Sequence, residues 1–126
     1  DYSPPGVLAG AMRYHGVAPI VSSLFREKHI EAVAHGQVES YSAGLMFTRA
    51  EGIVLSPHAM YTVKEVIEQA LRCKASGAED TILFTVTPAV STESSPYDTL
   101  LDGVMHDEQP EEASLKKSVG RFIGRG

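Results

Sequence analysis

The sequence predicts an α/β fold in which a parallel sheet carries helices on both faces. Apolar residues recur at helical spacing in three segments, short β-branched or apolar runs lie between them, and Gly or Pro ends most of the runs. Strands that alternate with helices of ten or more residues form βαβ units with right-handed crossovers. A length of 126 residues suits one such core.

The first predicted helix and strand follow a turn-rich opening. Residues 1–17 contain several Pro and Gly residues and therefore predict a loop. Pro19 fits the first turn of a helix, and apolar side chains then recur at helical spacing, which predicts a helix over Ala18–Lys28. The alternation in Ile30–Ala34 predicts a short strand.

The middle of the chain predicts two longer helices around a buried strand. Val38–Ala50 has an apolar face, and Gly52 stands where a helix would end. Ile53–Leu55 is a continuous apolar run, as expected for a strand that is covered on both faces. Ala59–Ala75 is the clearest amphipathic helix, and Gly77 follows it as a cap.

The last third begins with a predicted central strand. Thr81–Thr87 is rich in β-branched and aromatic residues, and Pro88 stops it. A polar loop, an acidic stretch and a short helix over Ala113–Ile123 are expected after it. The predicted organisation is a single unit, residues 1–126, made of a ligand-side loop, an α/β core and a tail, at 1–17, 18–87 and 88–126.

Charge and composition exclude some classes of function. The net charge of −5, from 16 acidic and 11 basic residues, argues against nucleic acid as a partner, because phosphate binding needs a cationic surface. No stretch approaches the roughly 18 consecutive apolar residues of a membrane helix.

The single cysteine, Cys73, indicates a reducing, cytoplasmic setting. A start at Asp1 without an initiator Met predicts a piece of a longer protein.

Ligands of α/β sheets bind beyond the carboxyl ends of the strands, so residues at those positions come first as site residues. They are His35 and Gly36, Ser56 to His58, and Thr87 and Pro88. The Thr87 hydroxyl can bond a ligand heteroatom, or it can simply close the strand. Glu51 is an acid at a helix end that favours a cation, which indicates either a functional carboxylate or a solvated one.

A second group of candidates lies in the opening loop. Arg13, Tyr14 and His15 precede Gly16 and present a cation, an aromatic face and a titratable ring, which suits an anionic, planar small ligand. The alternative is an ordinary solvated loop. The five histidines show no metal-ligand spacing, so no metal site is predicted.

Three segments resemble one known family. Residues 9–19 read AGAMRYHGVAP, residues 44–54 read GLMFTRAEGIV, and residues 81–84 read TILF. Together with Tyr97-Asp98 and residues 110–112, they resemble the C-terminal part of the tryptophan synthase beta chain family, above all its second, archaeal-type branch. The resemblance covers nearly the whole chain.

The resemblance implies part of a fold-type II, pyridoxal phosphate-dependent lyase that joins L-serine to indole by β-replacement and forms L-tryptophan. In that family the cofactor-binding lysine and the Gly-rich phosphate loop precede the region present here, so the chain alone is expected to be inactive and to need the missing N-terminal part as its partner. The resemblance places Arg13 and Tyr14, with Gly10 and His15, on the substrate side. It places Glu51 beside the cofactor ring as the catalytic residue, and Thr87 where the family has a serine on the pyridine nitrogen.

The sequence also departs from the family. Thr87-Pro88-Ala89-Val90 stands where the family has Ser-Gly-His-Gly, and residues 57–61 read PHAMY in place of Pro-Glu-Ser-Ala-His. None of the five lysines lies in the cofactor-lysine context. Two alternatives therefore stay open: a non-catalytic binding or regulatory domain of the same fold, and a free-standing small-molecule binder. A homodimer is also a possible assembly.

Overall fold

The computed structural model describes residues 6–14, 16–89, 95–108 and 112–113, and these residues form four α-helices. The helices are α1 (Pro19–Arg26), α2 (Gln37–Glu51), α3 (Pro57–Ser76) and α4 (Ser95–Leu101), and a short 3-10 helix, Gly10–Met12, precedes α1. None of the helices in this part of the chain has the length and apolar character needed to cross a membrane. The chain divides into two compact units, residues 1–32 with 108–126, and residues 33–107.

The three main predicted helices are confirmed within two residues at each end. Gly52 and Gly77 follow α2 and α3 with φ of 71° and 73°, the left-handed conformation that favours glycine. Pro57 lies at the first position of α3, where its missing N–H costs no hydrogen bond. The predicted helix over Ala113–Ile123 lies outside the described residues except for Ala113.

The predicted strand at Ile30–Ala34 is wrong. These residues are exposed and form no strand. An alternating pattern is a local signal, whereas a strand also needs a neighbour to bind its backbone groups. Such a neighbour is absent from the described residues.

The predicted buried strand at Ile53–Leu55 is also wrong. Ile53 and Val54 are 42% and 51% exposed, and Leu55 alone is buried. Leu55 forms one isolated bridge, with Pro88, and this bridge is antiparallel. The predicted parallel sheet is therefore not formed by the described residues, because none of the three expected strands lies beside a parallel neighbour.

Residues 81–87 alternate in burial but are unpaired over most of their length among the described residues. Ile82, Phe84 and Val86 are half-buried, whereas the alternate residues are exposed, and Leu83 reaches 96% exposure. This is the alternation of a strand with one covered face. Within the described residues, no backbone hydrogen bond reaches 81–86.

Helix α4 was not predicted, although its first residues carry a recognisable signal. The dipeptide Ser95-Pro96 is typical of a helix start, and Tyr97, Leu100 and Leu101 follow at helical spacing. Tyr97 and Leu100 pack against the core of residues 33–107. The polar residues around this segment obscured a short helix.

The unit of residues 1–32 and 108–126 buries little apolar surface among its described residues. Ala9 is 1% exposed, but Ile20 and Phe25 of α1 are 70% and 54% exposed. The Gly6 N–H donates to Glu108 Oε2 at 2.6 Å, which ties the start of this unit to its later segment. Helix α1 thus has the predicted amphipathic pattern with its apolar side uncovered.

The core of residues 33–107 lies where α2 packs on α3. Its buried members come from both helices and their connection: Tyr41, Leu55, Ala59, Met60 and Val63. A Cβ at Gly44 would lie 2.5 Å from Met60 Cγ, which is closer than carbon atoms approach. Glycine at position 44 therefore lets the two helices come this close.

Replacing Gly44 tests this close approach. Gly44→Val should lower the free energy of unfolding by about 2 kcal/mol, because overpacking of a filled core outweighs the gain in helix propensity. Gly16→Ala is the control, since nothing lies within 4 Å of a Cβ there. Urea unfolding of the variants measures the effect, and equal stability of Gly44→Val and wild type would contradict this account of the packing.

A charged network joins the start of α2 to α3. The His35 Nε2–H donates to Glu65 Oε2 at 2.9 Å, and Glu65 also accepts from Gln69 and Arg72. Lys64 lies between Glu39 and Glu68, at 3.3 and 2.5 Å. The His35 side chain is only 14% exposed, so its hydrogen bond is partly shielded from water.

Two of these carboxyl groups have lowered pKa values. The His35 hydrogen bond is the main cause of the lowered pKa of Glu65, with Gln69 and Arg72 adding to it. The N–H of Gly36 is the main cause of the lowered pKa of Glu39, and Lys64 adds to it. A carboxyl whose pKa is lower in the folded state stabilises the fold above its ordinary value, and this stabilisation is lost as the pH falls.

The free energy of unfolding should therefore decrease as the pH falls below 4.5, the ordinary pKa of glutamate. Glu65→Gln should flatten this acid-side decrease, because the amide does not titrate. Glu79→Gln is a matched control, since Glu79 is exposed and has no ion pair among the described residues. Urea unfolding across the acid range measures both slopes, and an unchanged slope in Glu65→Gln would contradict the assignment.

Candidate functional site

The segment between α2 and α3 carries the first predicted site residue. Glu51 is the last residue of α2 and is exposed, and Gly52 turns the chain immediately after it. Because Gly52 adopts the left-handed conformation, the helix ends at Glu51. The Glu51 side chain is thus attached where α2 ends and the connection to α3 begins.

Two hydrogen bonds hold this connection beside the second predicted residue. Ser56 N–H donates to the Thr87 carbonyl, and Ala89 N–H donates to the Val54 carbonyl, both at 2.9 Å. They flank the Leu55–Pro88 bridge. The structure therefore joins the segment that follows Glu51 to the segment that ends in Thr87.

The Thr87 side chain is free of these backbone bonds. Its carbonyl accepts from Ser56, while the residue is exposed, and its hydroxyl has no hydrogen-bond partner among the described residues. A hydroxyl can donate to or accept from a heteroatom of a ligand. Thr87 thus offers a polar group at the edge of the paired segments.

Tyr97 of α4 holds the centre of the paired segments. Its hydroxyl donates to the Leu55 carbonyl at 2.6 Å and accepts from the Leu55 N–H at 3.0 Å. Leu55 is completely buried, so these bonds satisfy backbone groups that water does not reach. Sequence reasoning did not single out Tyr97 for this role, because the local pattern does not indicate that Leu55, 42 residues earlier, lies beside it.

The Tyr97 ring belongs to a group of three packed tyrosine rings. Tyr41 packs edge-on against Tyr97 and Tyr61, with ring centroids 6.5 Å apart in both pairs. Burial raises the pKa of Tyr61, and the nearby charge of Asp107 adds to this effect. Such edge-to-face pairs add stability beyond the area that the rings bury.

Ser56 and His58 form a further polar pair at the start of α3. Ser56 Oγ lies 3.2 Å from His58 Nε2, and Ser56 is 1% exposed. The sequence placed both residues after a strand end, and the structure brings their side chains together. The hydrogen bond with the buried Ser56 hydroxyl orients the His58 ring in the first turn of α3.

The remaining predicted residues lie in the other unit. Gly10 begins the 3-10 helix, and Arg13 and Tyr14 follow it with exposed side chains, Tyr14 at 71%. His15 lies outside the described residues. Among the residues that the structure does describe, no group of three or more His, Cys, Asp or Glu is placed to bind a metal ion.

Glu51 precedes one of two hydrogen-bonded segments, and Thr87 ends the other. A carboxylate accepts protons or hydrogen bonds, and a hydroxyl orients a ring nitrogen or a carbonyl. None of the lysines in the described part of the chain forms an ion pair with Glu51. Lys64 pairs with Glu39 and Glu68, and Lys28 and Lys74 are exposed.

Comparisons with known proteins identify close relatives. No protein-family profile and no solved structure matches the chain. Tryptophan synthase beta chain 2 of Aquifex aeolicus is 40% identical over 107 residues, which are 85% of this chain and 25% of that protein. The tryptophan synthase beta chain of Thermococcus onnurineus is 38% identical over 111 residues, 88% of this chain and 25% of that protein.

A third relative extends the same match. Tryptophan synthase beta chain 2 of Pyrococcus abyssi is 36% identical over 115 residues, 91% of this chain and 26% of that protein. The chain therefore spans about a quarter of the length of the curated relatives that it matches. Over that segment the chain is a homologue of the tryptophan synthase beta chains, as its sequence motifs predicted.

Proposed function

We propose that this chain is the C-terminal portion of a tryptophan synthase beta-like enzyme, which joins L-serine and indole by β-replacement to form L-tryptophan. The observation that carries the proposal is the 40% identity to a tryptophan synthase beta chain over 85% of this chain. A cytoplasmic location and a homodimer stay predictions, and so does the placement of residues 1–17, 18–87 and 88–126 as loop, core and tail.

In this proposal the rest of the enzyme completes the sheet. Residues 81–87 alternate like a strand, and within the described residues their backbone groups from 81 to 86 have no partner. Unpaired strand edges favour pairing with another strand. We infer that this segment joins the parallel sheet expected of the α/β fold, with strands that lie outside the present sequence.

The cofactor of the proposed reaction is pyridoxal 5′-phosphate, which supplies an electron sink for the amino-acid substrate when it is bound. The exposed Thr87 hydroxyl fits a role at the pyridine nitrogen, because it is available for a hydrogen bond and its backbone is fixed through Ser56. The Glu51 carboxylate, at the end of α2, would hold or move a proton beside the ring. The lysine that binds the cofactor covalently would come from the missing N-terminal part.

Residues of the opening loop would bind the substrates. The Arg13 guanidinium can pair with the carboxylate of serine, and the exposed Tyr14 ring offers an aromatic face to indole. Gly10 and His15 belong to the same loop in the sequence. These roles extend the proposal from the cofactor to the amino acid and the acceptor.

A non-catalytic domain of the same fold is the second candidate. It is favoured by Pro88, which replaces glycine in the family pattern and closes the bridge to Leu55. A proline has a fixed φ and no N–H, so the segment after Thr87 offers the cofactor one donor fewer. Such a domain would bind a partner or regulate a related enzyme.

Reconstitution separates the two candidates. The 126-residue chain, produced together with the upstream polypeptide of its parent gene, should form tryptophan from serine and indole when pyridoxal phosphate is present, whereas neither part alone should. A folded mixture that binds pyridoxal phosphate and yet forms no tryptophan would favour the non-catalytic domain.

Thr87→Ala tests the proposed contact with the cofactor. In the full-length protein, loss of the hydroxyl should lower the affinity for pyridoxal phosphate by about tenfold, as expected when one buried hydrogen bond to the cofactor is lost. Thr85→Ala is the matched control, because Thr85 is exposed on the same side of the segment two residues earlier. Titration of the cofactor-free protein measures both affinities, and equal losses would remove Thr87 from the site.

A further inference from the structure

Tyr97 binds both backbone groups of a single buried residue. Its hydroxyl lies 2.6 Å from the Leu55 carbonyl oxygen and 3.0 Å from the Leu55 nitrogen, and Leu55 is 0% exposed. Without the hydroxyl, a buried N–H and a buried C=O would both lose their partner. Unpaired buried backbone groups are costly, so the segment around Leu55 would shift toward water or another donor.

A shift of Leu55 would reach Thr87 directly. The residues on either side of Leu55 make the two hydrogen bonds of the paired segments, Val54 with Ala89 and Ser56 with Thr87. The same connection begins at Gly52, immediately after Glu51. Tyr97 is therefore linked through one residue to both segments that carry the site.

We propose that Tyr97 is a positioning residue for the reaction, and that its hydroxyl fixes the Thr87 segment against the connection between α2 and α3. This inference rests on the proposed function, because it assigns to Tyr97 an effect on cofactor binding at Thr87. Tyr97 itself contacts the Leu55 backbone and acts through it.

Tyr61 provides a contrast within the same aromatic group. Its ring packs against Tyr41 at the same centroid distance of 6.5 Å. Its hydroxyl is buried and has no hydrogen-bond partner among the described residues. Tyr61→Phe therefore removes the same volume as Tyr97→Phe but breaks no hydrogen bond to the backbone among the described residues.

The test compares Tyr97→Phe and Tyr61→Phe in the full-length protein. In Tyr97→Phe, amide hydrogen exchange at Ser56 and Ala89 should be about tenfold faster, because two hydrogen bonds that limit opening are lost. The affinity for pyridoxal phosphate and the kcat should fall by about the same factor, with KM for serine little changed. Tyr61→Phe should stay within about twofold of wild type in all of these readouts.

The outcomes separate this inference from the proposed function. Unchanged exchange in Tyr97→Phe would overturn the inference, as would faster exchange with wild-type cofactor affinity in an enzyme that makes tryptophan. A wild-type protein that makes no tryptophan would overturn the proposed function, and the role in the reaction would fail with it. If Tyr97→Phe does not fold, 4-aminophenylalanine at position 97, which keeps a donor on the ring, should restore both exchange protection and cofactor affinity, and failure to restore them would overturn the inference.

Discussion

The contact between Gly44 and Met60 is the constraint on which the unit of residues 33–107 depends. A hydrogen in place of a side chain lets α3 approach α2 until Met60 is completely buried. Buried Tyr41, three residues earlier on α2, then reaches the rings of α3 and α4. Because the helices are fixed in this way, the short connection between them has little freedom, and Leu55 is carried into the core.

Polar bonds then complete what apolar packing begins. A buried backbone needs partners for its N–H and C=O groups, and Leu55 finds them in one tyrosine hydroxyl. At the other end of α2, the Asp107 carboxylate accepts from the N–H groups of Gln37 and Val38, which would otherwise lack partners in the first turn. The segment after α4 is thereby tied to the start of α2, so the first turn of that helix is held by a residue distant in sequence.

The sequence predicted the helices well and the strands poorly, for one physical reason. A helix satisfies its hydrogen bonds within a few residues, so the spacing of apolar residues and a glycine such as Gly52 suffice to locate it. A strand takes its partner from elsewhere in the chain, and the pattern of residues 81–87 contains no information on where that partner lies. The bridge from Leu55 to Pro88 was therefore not predicted, although Leu55 ended one predicted strand and Pro88 followed another.

The site shows the same division between local and distant information. Glu51 and Thr87 were predicted from a family resemblance and from their positions at the ends of elements, whereas the role of Tyr97 is seen only in its contact with Leu55. In the proposed enzyme, further strands would cover Leu83, which is 96% exposed among the described residues. Covering one leucine side chain gains about 2 kcal/mol, and the backbone of residues 81–86, which has no backbone partner among the described residues, would gain partners in the same step. In the proposed enzyme, the strands that bury Leu83 would also lie beside Thr87, which is exposed four residues later on the same side of the segment.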